Sequence, residues 1–222
     1  MRWLPSWRFI LGSFLLLVCL AVGGFVVAYS MVDVPSPSEF AQAQTTTVYY
    51  ADGTTKMGEF AEIDRTIIDT SGLPDYVGKA VVASEDRTFY SNQGVDPKGI
   101  IRALWNNLSG GATQGASTLT QQYVKNYYVD TTSSYAGKFQ QAIMAIKIDR
   151  SQSKEQILDS YLNTVYFGRG AYGIEAAAQA FFDKSAAELT VSESALLAGI
   201  LPAPSAWDPA PKIGRASCRE RV

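Results

Sequence analysis

Two carboxylates stand side by side at Glu85-Asp86, directly after the stretch Lys79-Ala80-Val81-Val82-Ala83-Ser84 and ahead of Arg87. Neighbours on a helix point about 100° apart, so one of the pair can lie against the apolar side while Arg87 neutralises the other. A carboxylate beside an apolar wall holds a proton more tightly than one in water, which suits a general acid or base. A second segment, Gly115-Ala116-Ser117-Thr118-Leu119-Thr120-Gln121-Gln122-Tyr123-Val124-Lys125-Asn126, places Ser117, Gln121 and Lys125 on one helix face at i, i+4 and i+8. A polar stripe at a helix N-terminus, with unpaired N–H groups and a Lys, suits an oxyanion or phosphate. Ser117 reads as the N-cap of that helix. A third segment, Tyr166 to Gln179, holds Gly168, Gly170 and Gly173 in a tight loop with Arg169 and Glu175 as its charged members.

Each segment also admits a plain structural reading: a helix end with surface charges, a solvated face with a Ser cap, and a loop packed on a small-residue helix. Composition narrows the chemistry further. The 222 residues include no His and 2 Cys. That excludes Ser-His-Asp and Cys-His machinery, imidazole-ligated metals and a disulfide framework. Acid–base work falls to Glu, Asp, Lys or Tyr. Ser151-Gln152-Ser153-Lys154 has the Ser-x-x-Lys spacing of acyl-enzyme sites. It opens a helix whose Ser already has a capping task, and no Ser-x-Asn or Lys-Thr-Gly partner exists.

The elements that must position these residues are mostly helical. Thr46–Phe60 is a β-hairpin candidate with Asp52-Gly53 as its turn. Asp75–Phe89 carries Val77, Ala80, Val81 and Ser84 at helical spacing. Pro97 opens a helix running to Leu108, and Gly110-Gly111 ends it. Lys138–Asp149 is helical. Ser153 with Gln156, and Thr190 with Glu193, form capping boxes before two apolar runs, and Pro202 stops the second. Gly173–Phe182 is an Ala-rich helix. No repeat or low-complexity tract occurs, and at most one small hairpin is expected.

Residues 9–32 contain no charge, and Arg2 and Arg8 precede them. Their 24 positions span roughly 36 Å as a helix, enough to cross a hydrocarbon core. A signal peptide has a shorter apolar core of about 7–15 residues, so this is read as an uncleaved anchor. The positive-inside rule puts residues 1–8 in the cytoplasm as a short tail and the rest outside. Residues 33–45 read as a linker and 46–212 as the folded domain. The last ten residues, 213–222, break the preceding composition and resemble the translation of a DNA-sequencing adapter, so they are expected to be a non-native tail. Residues 33–212 carry 14 basic and 20 acidic residues, a poor balance for binding nucleic acid.

Taken in order, the motifs resemble the peptidoglycan glycosyltransferase domain, glycosyltransferase family 51, which forms the N-terminal half of class A penicillin-binding proteins and also occurs alone. Glu85-Asp86-x-x-Phe89 with Gly94-x-Asp96 is similar to the family's first motif, and Gly115–Asn126 to its second. Lys154–Asn163 and Tyr166–Gln179 resemble the later ones, followed by Leu196 to Pro209. The resemblance implies a mainly α, lysozyme-like fold with a small β-hairpin behind one N-terminal transmembrane helix in a bacterial cell membrane. It implies polymerisation of lipid II into β-1,4 glycan strands by inversion, with release of undecaprenyl pyrophosphate. Glu85 would be the catalytic base. Arg102, Ser117, Gln121, Gln122, Lys125, Lys138 and Gln141 would bind substrate. A divalent cation, Mg2+ or Mn2+, at the pyrophosphate fits some of the family, although no dedicated metal site is evident. Lipid II, the growing glycan strand, the membrane and cell-wall synthesis proteins are the implied partners. Trp105, Leu108, Tyr123, Tyr127, Tyr128 and Val129 would form a surface dipping into the interface.

Two departures stand out. Asn92 occupies a position that is often His in the family. The third motif, Arg-Lys-x-x-Glu in the family, is Gly137-Lys138-Phe139-Gln140-Gln141 here. A neutral Gln141 hydrogen-bonds but carries no charge. Two other readings therefore stay open: a catalytically weakened scaffold that binds glycan or cell-wall proteins, and a glycan-cleaving enzyme of similar fold. The Ser-Thr-Leu-Thr-Gln-Gln run with Lys125 favours a pyrophosphate substrate over the latter. Whether a transpeptidase domain follows in the natural chain is left open.

Overall fold

A computed structural model of the protein describes residues 6–34, 46–52, 54, 56–60, 64–110, 117–127 and 134–209. Most of the expected linker and the whole expected tail, 213–222, lie outside the described residues. The chain divides into two compact units, residues 1–34 and 35–222.

The first unit is one helix, α1 (Trp7–Met31), of mean hydropathy 2.7. Ser6 caps it, its Oγ accepting from the N–H of Phe9 at 3.3 Å. This helix is long and apolar enough to cross a membrane.

The second unit begins with the expected hairpin, β1 (Thr46–Tyr49) against β2 (Lys56–Phe60), antiparallel with a register shift at Val48/Tyr49. The connection is longer than a two-residue turn, because pairing closes at Tyr49 and Lys56. Asp52 organises it by accepting from the N–H of Thr54 at 3.0 Å. A second, three-stranded sheet exceeds the sequence expectation. It consists of β3 (Asp64–Arg65), β4 (Tyr166–Gly168) and β5 (Ala171–Tyr172), in the order β3-β5-β4. These strands are too short to show a period of two, so no alternation marks them in the sequence.

The rest is helical: α2 (Asp75–Glu85), α3 (Pro97–Leu108), α4 (Leu119–Tyr127), α5 (Tyr135–Ser151), α6 (Lys154–Thr164), α7 (Ile174–Phe182), α8 (Val191–Ile200) and a short α9 (Pro204–Trp207). Both predicted capping boxes are present, Ser153 with Gln156 on α6 and Thr190 with Glu193 on α8. Helix α3 keeps its predicted bounds, while α5 extends beyond its expected span at both ends, its start set by the Ser134 cap. Helix α2 stops at Glu85, four residues short of the expected Phe89.

Two packing layers make the core. Helix α2 lies against α8, burying Val77 and Val81 against Leu197 and its neighbours. Helix α4 packs on α5 and α6 through Leu119, Val124, Ile143, Ile148 and Ile157, all 0–1% exposed. Burying side chains of this size gains about 1.5–3 kcal/mol each. The loop before α3 is stitched to α5 at Gly94, whose φ is +82°. A Cβ there would stand 2.4 Å from the carbonyl oxygen of Ala145, so only glycine lets the two backbones meet.

Candidate active site

Helix α2 ends where its chemistry begins. Glu85 is its last residue, and Asp86 leaves helical conformation at φ −153°, ψ 86°. The cause is the Asp86 carboxylate, which is buried and takes four donors. Its Oδ1 accepts from the N–H of Thr88 at 3.1 Å and from the Thr88 hydroxyl at 2.9 Å. Its Oδ2 accepts from Asn92 Nδ2 at 2.9 Å and from the N–H of Leu119 at 3.1 Å. The last of these is a first-turn N–H of α4, which has no partner inside its own helix. Asp86 thereby fastens α4 to the end of α2. The expected neutralisation by Arg87 does not occur: Arg87 Nε donates to the carbonyl of Ala83 at 3.3 Å. Asn92, the position where the resemblance leads one to expect His, extends the lock. Its Oδ1 accepts from Lys154 Nζ at 3.3 Å, and Lys154 pairs with Asp149 and lies 4.9 Å over the Phe89 ring.

Helix α4 carries the polar stripe, in a different arrangement from the one expected. Ser117 is not the N-cap. Thr118 holds that position, with its hydroxyl accepting from the N–H of Gln121 at 3.2 Å. Gln121 completes a capping box, its Oε1 accepting from the N–H of Thr118 at 3.0 Å. The Thr118 hydroxyl also donates to the carbonyl of Gly94 at 2.6 Å. Gln121 is thus committed to its own helix, and Gln122 faces the carboxylate.

Gln122 Nε2 donates to Glu85 Oε2 at 2.8 Å. Gln122 Oε1 accepts from the Tyr161 hydroxyl at 3.1 Å. Glu85 Oε1 is buried and has no partner among the described residues. Tyr161, on α6, is fully buried. That burial, reinforced by the Glu85 charge, pushes its phenol far above the usual range and keeps it protonated. A cleft of about 540 Å³ opens here, lined by Glu85, Asp86, Asp96, Arg102, Ser117 and Thr118 among others. The N–H of Gly99, close against the carboxyl of Asp96, holds it below the usual carboxylate range, with Thr88 and Arg102 adding to the effect.

The structure therefore gathers Glu85, Arg102 and Ser117 at one cleft, with Gln122 bonded to Glu85 but not among the lining residues. Lys125, in the last turn of α4, and Lys138, in the first turn of α5, are exposed and are not among its lining residues. Gln141 is 4% exposed on the buried side of α5 and does not line the cleft either. Tyr161 was not singled out by sequence reasoning. Its only signal there is its place at i+4 from Ile157 in a capped helix. Among the described residues no group of three or more acidic, His or Cys side chains converges to hold a metal. The mechanism proposed below runs through none.

Elsewhere, charges that looked available are engaged. Arg169, at φ +54°, donates from Nε and Nη2 to Asp208 at 2.9 and 2.7 Å and from Nη1 to the carbonyl of Ala180 at 2.9 Å. Glu175 accepts from the N–H of Ala186 at 2.8 Å. Of the expected interfacial surface, Trp105 and Leu108 are 73% and 78% exposed, but Tyr123 is core at 1%. Tyr123 points into the α4 packing layer because it shares a face with Leu119 and Thr120. Tyr128 and Val129 lie outside the described residues, as does the side chain of Tyr127.

Known proteins resemble the chain over most of its length. The chain is 43% identical over 218 residues to penicillin-binding protein 1A of Mycobacterium tuberculosis, covering 92% of this chain and 26% of that protein. It is 44% identical over 204 residues to the protein of the same name from Mycolicibacterium smegmatis, covering 87% of this chain and 26% of that protein. It is 42% identical over 176 residues to that of Neisseria cinerea, covering 79% and 22%. The chain thus spans about a quarter of the length of these relatives. Residues 53–222 match the family model described as transglycosylase, and the chain belongs to that family of glycosyltransferases.

Proposed function

We propose that the chain polymerises lipid II into β-1,4 glycan, with Glu85 as general base. The observation that carries this is a carboxylate lining a cleft that also presents Arg102, with one oxygen held by Gln122 and the other buried with no partner among the described residues. In the reaction the acceptor sugar's 4-hydroxyl attacks C1 of the donor. The O4–C1 bond forms as C1–O to pyrophosphate breaks on the opposite face, so the α-linked donor becomes β-linked. The hydroxyl proton passes to Glu85 and then to solvent. Undecaprenyl pyrophosphate leaves with the bonding electrons, and Arg102, Lys125 and Lys138 supply cations for it. Helix α1 would hold the domain at the membrane where a lipid-linked substrate resides, with the N-terminus cytoplasmic and the domain outside.

The test is glycan synthesis from lipid II by the whole chain in membranes or detergent, beside Glu85→Gln. Loss of a general base predicts a fall of roughly 10²–10⁴-fold in kcat with unchanged folding. An equally active Glu85→Gln protein would remove the base assignment. One observation favours a second reading, a weakened enzyme acting as a scaffold for glycan or cell-wall proteins: Gln141 is neutral where the resembling motif carries Glu. A large gain in activity on Gln141→Glu would support it.

A further inference from the structure

The two oxygens of the Glu85 carboxylate have unlike surroundings, and the difference is set from 76 residues away in sequence. We propose that Tyr161 is a positioning residue which, through Gln122, fixes the orientation of the Glu85 carboxylate for taking the proton from the acceptor hydroxyl. This rests on the polymerase reading above. A carboxylate can accept a proton on either oxygen. Here Oε2 accepts the Gln122 amide N–H at 2.8 Å, which fixes how the group is turned. Oε1 is buried and has no partner among the described residues.

Gln122 alone would not fix this choice. A side-chain amide has a donor end and an acceptor end of nearly equal size and can turn over. Turned over, it would set its carbonyl oxygen against the carboxylate oxygen. The Tyr161 hydroxyl opposes that by donating to Gln122 Oε1 at 3.1 Å, which leaves Nε2 facing Glu85. The ring of Tyr161 is 0% exposed and sits in the middle of α6, so it cannot swing away. Its phenol stays protonated, so it remains a donor throughout the working pH range.

Tyr161→Phe keeps the ring and removes only the hydroxyl. In the whole chain in detergent, kcat for lipid II polymerisation is expected to fall about tenfold with KM nearly unchanged. The acid limb of the kcat profile should move upward, because a carboxylate held less firmly by its donor is easier to protonate. In a Gln122→Ala background, Tyr161→Phe should add no further loss, since the hydroxyl acts through the amide. A variant that only lowers Tm, with kcat and pH profile intact, overturns the inference. So does an equal loss with and without Gln122. If the wild-type chain makes no glycan, the polymerase reading fails on its own. The Glu85 carboxyl signal, followed by NMR through the acid range in wild type and Tyr161→Phe, then decides: a displaced titration upholds the positioning chain, and an identical one overturns it.

Discussion

Arg169 and Glu85 both sit at abrupt ends of regular structure, among small residues, carrying a charge. Their surroundings finish differently. The Arg169 corner is closed: all three guanidinium nitrogens are bonded, two of them to Asp208, and the plane stacks 4.1 Å over the Phe181 ring. Among the described residues Glu85 has one donor, and its other oxygen has none. The same contrast holds between adjacent residues, because Asp86 accepts four hydrogen bonds from three residues. A charged group whose partners are all protein is part of the scaffold. One left a partner short beside a cleft keeps acceptor capacity that the scaffold does not use.

Three substitutions probe that distinction. Asp86→Asn should act on both sides of it. The amide would turn a donor toward two existing donors, costing about 2–3 kcal/mol of unfolding free energy. Because Leu119 would lose its acceptor, α4 and Gln122 should loosen and kcat should fall as well. Denaturant unfolding and polymerisation measured on one preparation check both effects. Arg169→Lys should cost stability alone, about 1 kcal/mol, since an ammonium cannot reproduce the two-pronged grip on Asp208. Thermal unfolding should register the change while kcat stays at the wild-type value. A fall in kcat there would mean that the corner reaches the chemistry.

The smallest effect concerns Glu193. Its carboxyl is lowered from 4.5 to about 2 by Lys184 first, with the N–H and hydroxyl of Thr190 adding. The folded state binds the proton less tightly than the unfolded one. The stabilisation is therefore complete above about pH 4.5 and is lost as pH falls toward about 2. Glu193→Gln should flatten the stability profile between those values and lower stability near neutrality, where the wild-type gain is complete, as read by acid-dependent Tm.

Much of the helical layout was legible from sequence because its signals are local. Pro97, the two capping boxes and the apolar spacing each act within one or two turns. The cleft was legible only in part. Glu85, Arg102 and Ser117 do line one space, but Ser117 and Gln121 exchange roles with Thr118 and Gln122. A capping box one residue later rotates every side chain on the helix by about 100°, and nothing local in Ser117-Thr118 decides between two adjacent hydroxyl caps. The long-range donors to Asp86 decide it. Gln141 and Tyr161 belong to the same class, because helix–helix packing sets their burial. The second sheet joins strands about a hundred residues apart, a separation at which sequence pattern carries no pairing information.

The partnership of α2 with α8 also bears on the order in which the molecule can assemble. The Ser84 hydroxyl donates to the carbonyl of Ala198 at 3.2 Å, and the Tyr76 hydroxyl to that of Leu189 at 2.7 Å, across 114 and 113 residues. Closing a loop of that length costs about 4 kcal/mol in ideal-chain entropy, more than neighbouring helices pay to meet. Helices α4, α5 and α6 follow one another along the chain and can dock as soon as they exist. On a ribosome, Gln122 and Tyr161 can therefore be in place before the contacts of α2 with residues near 200 are made.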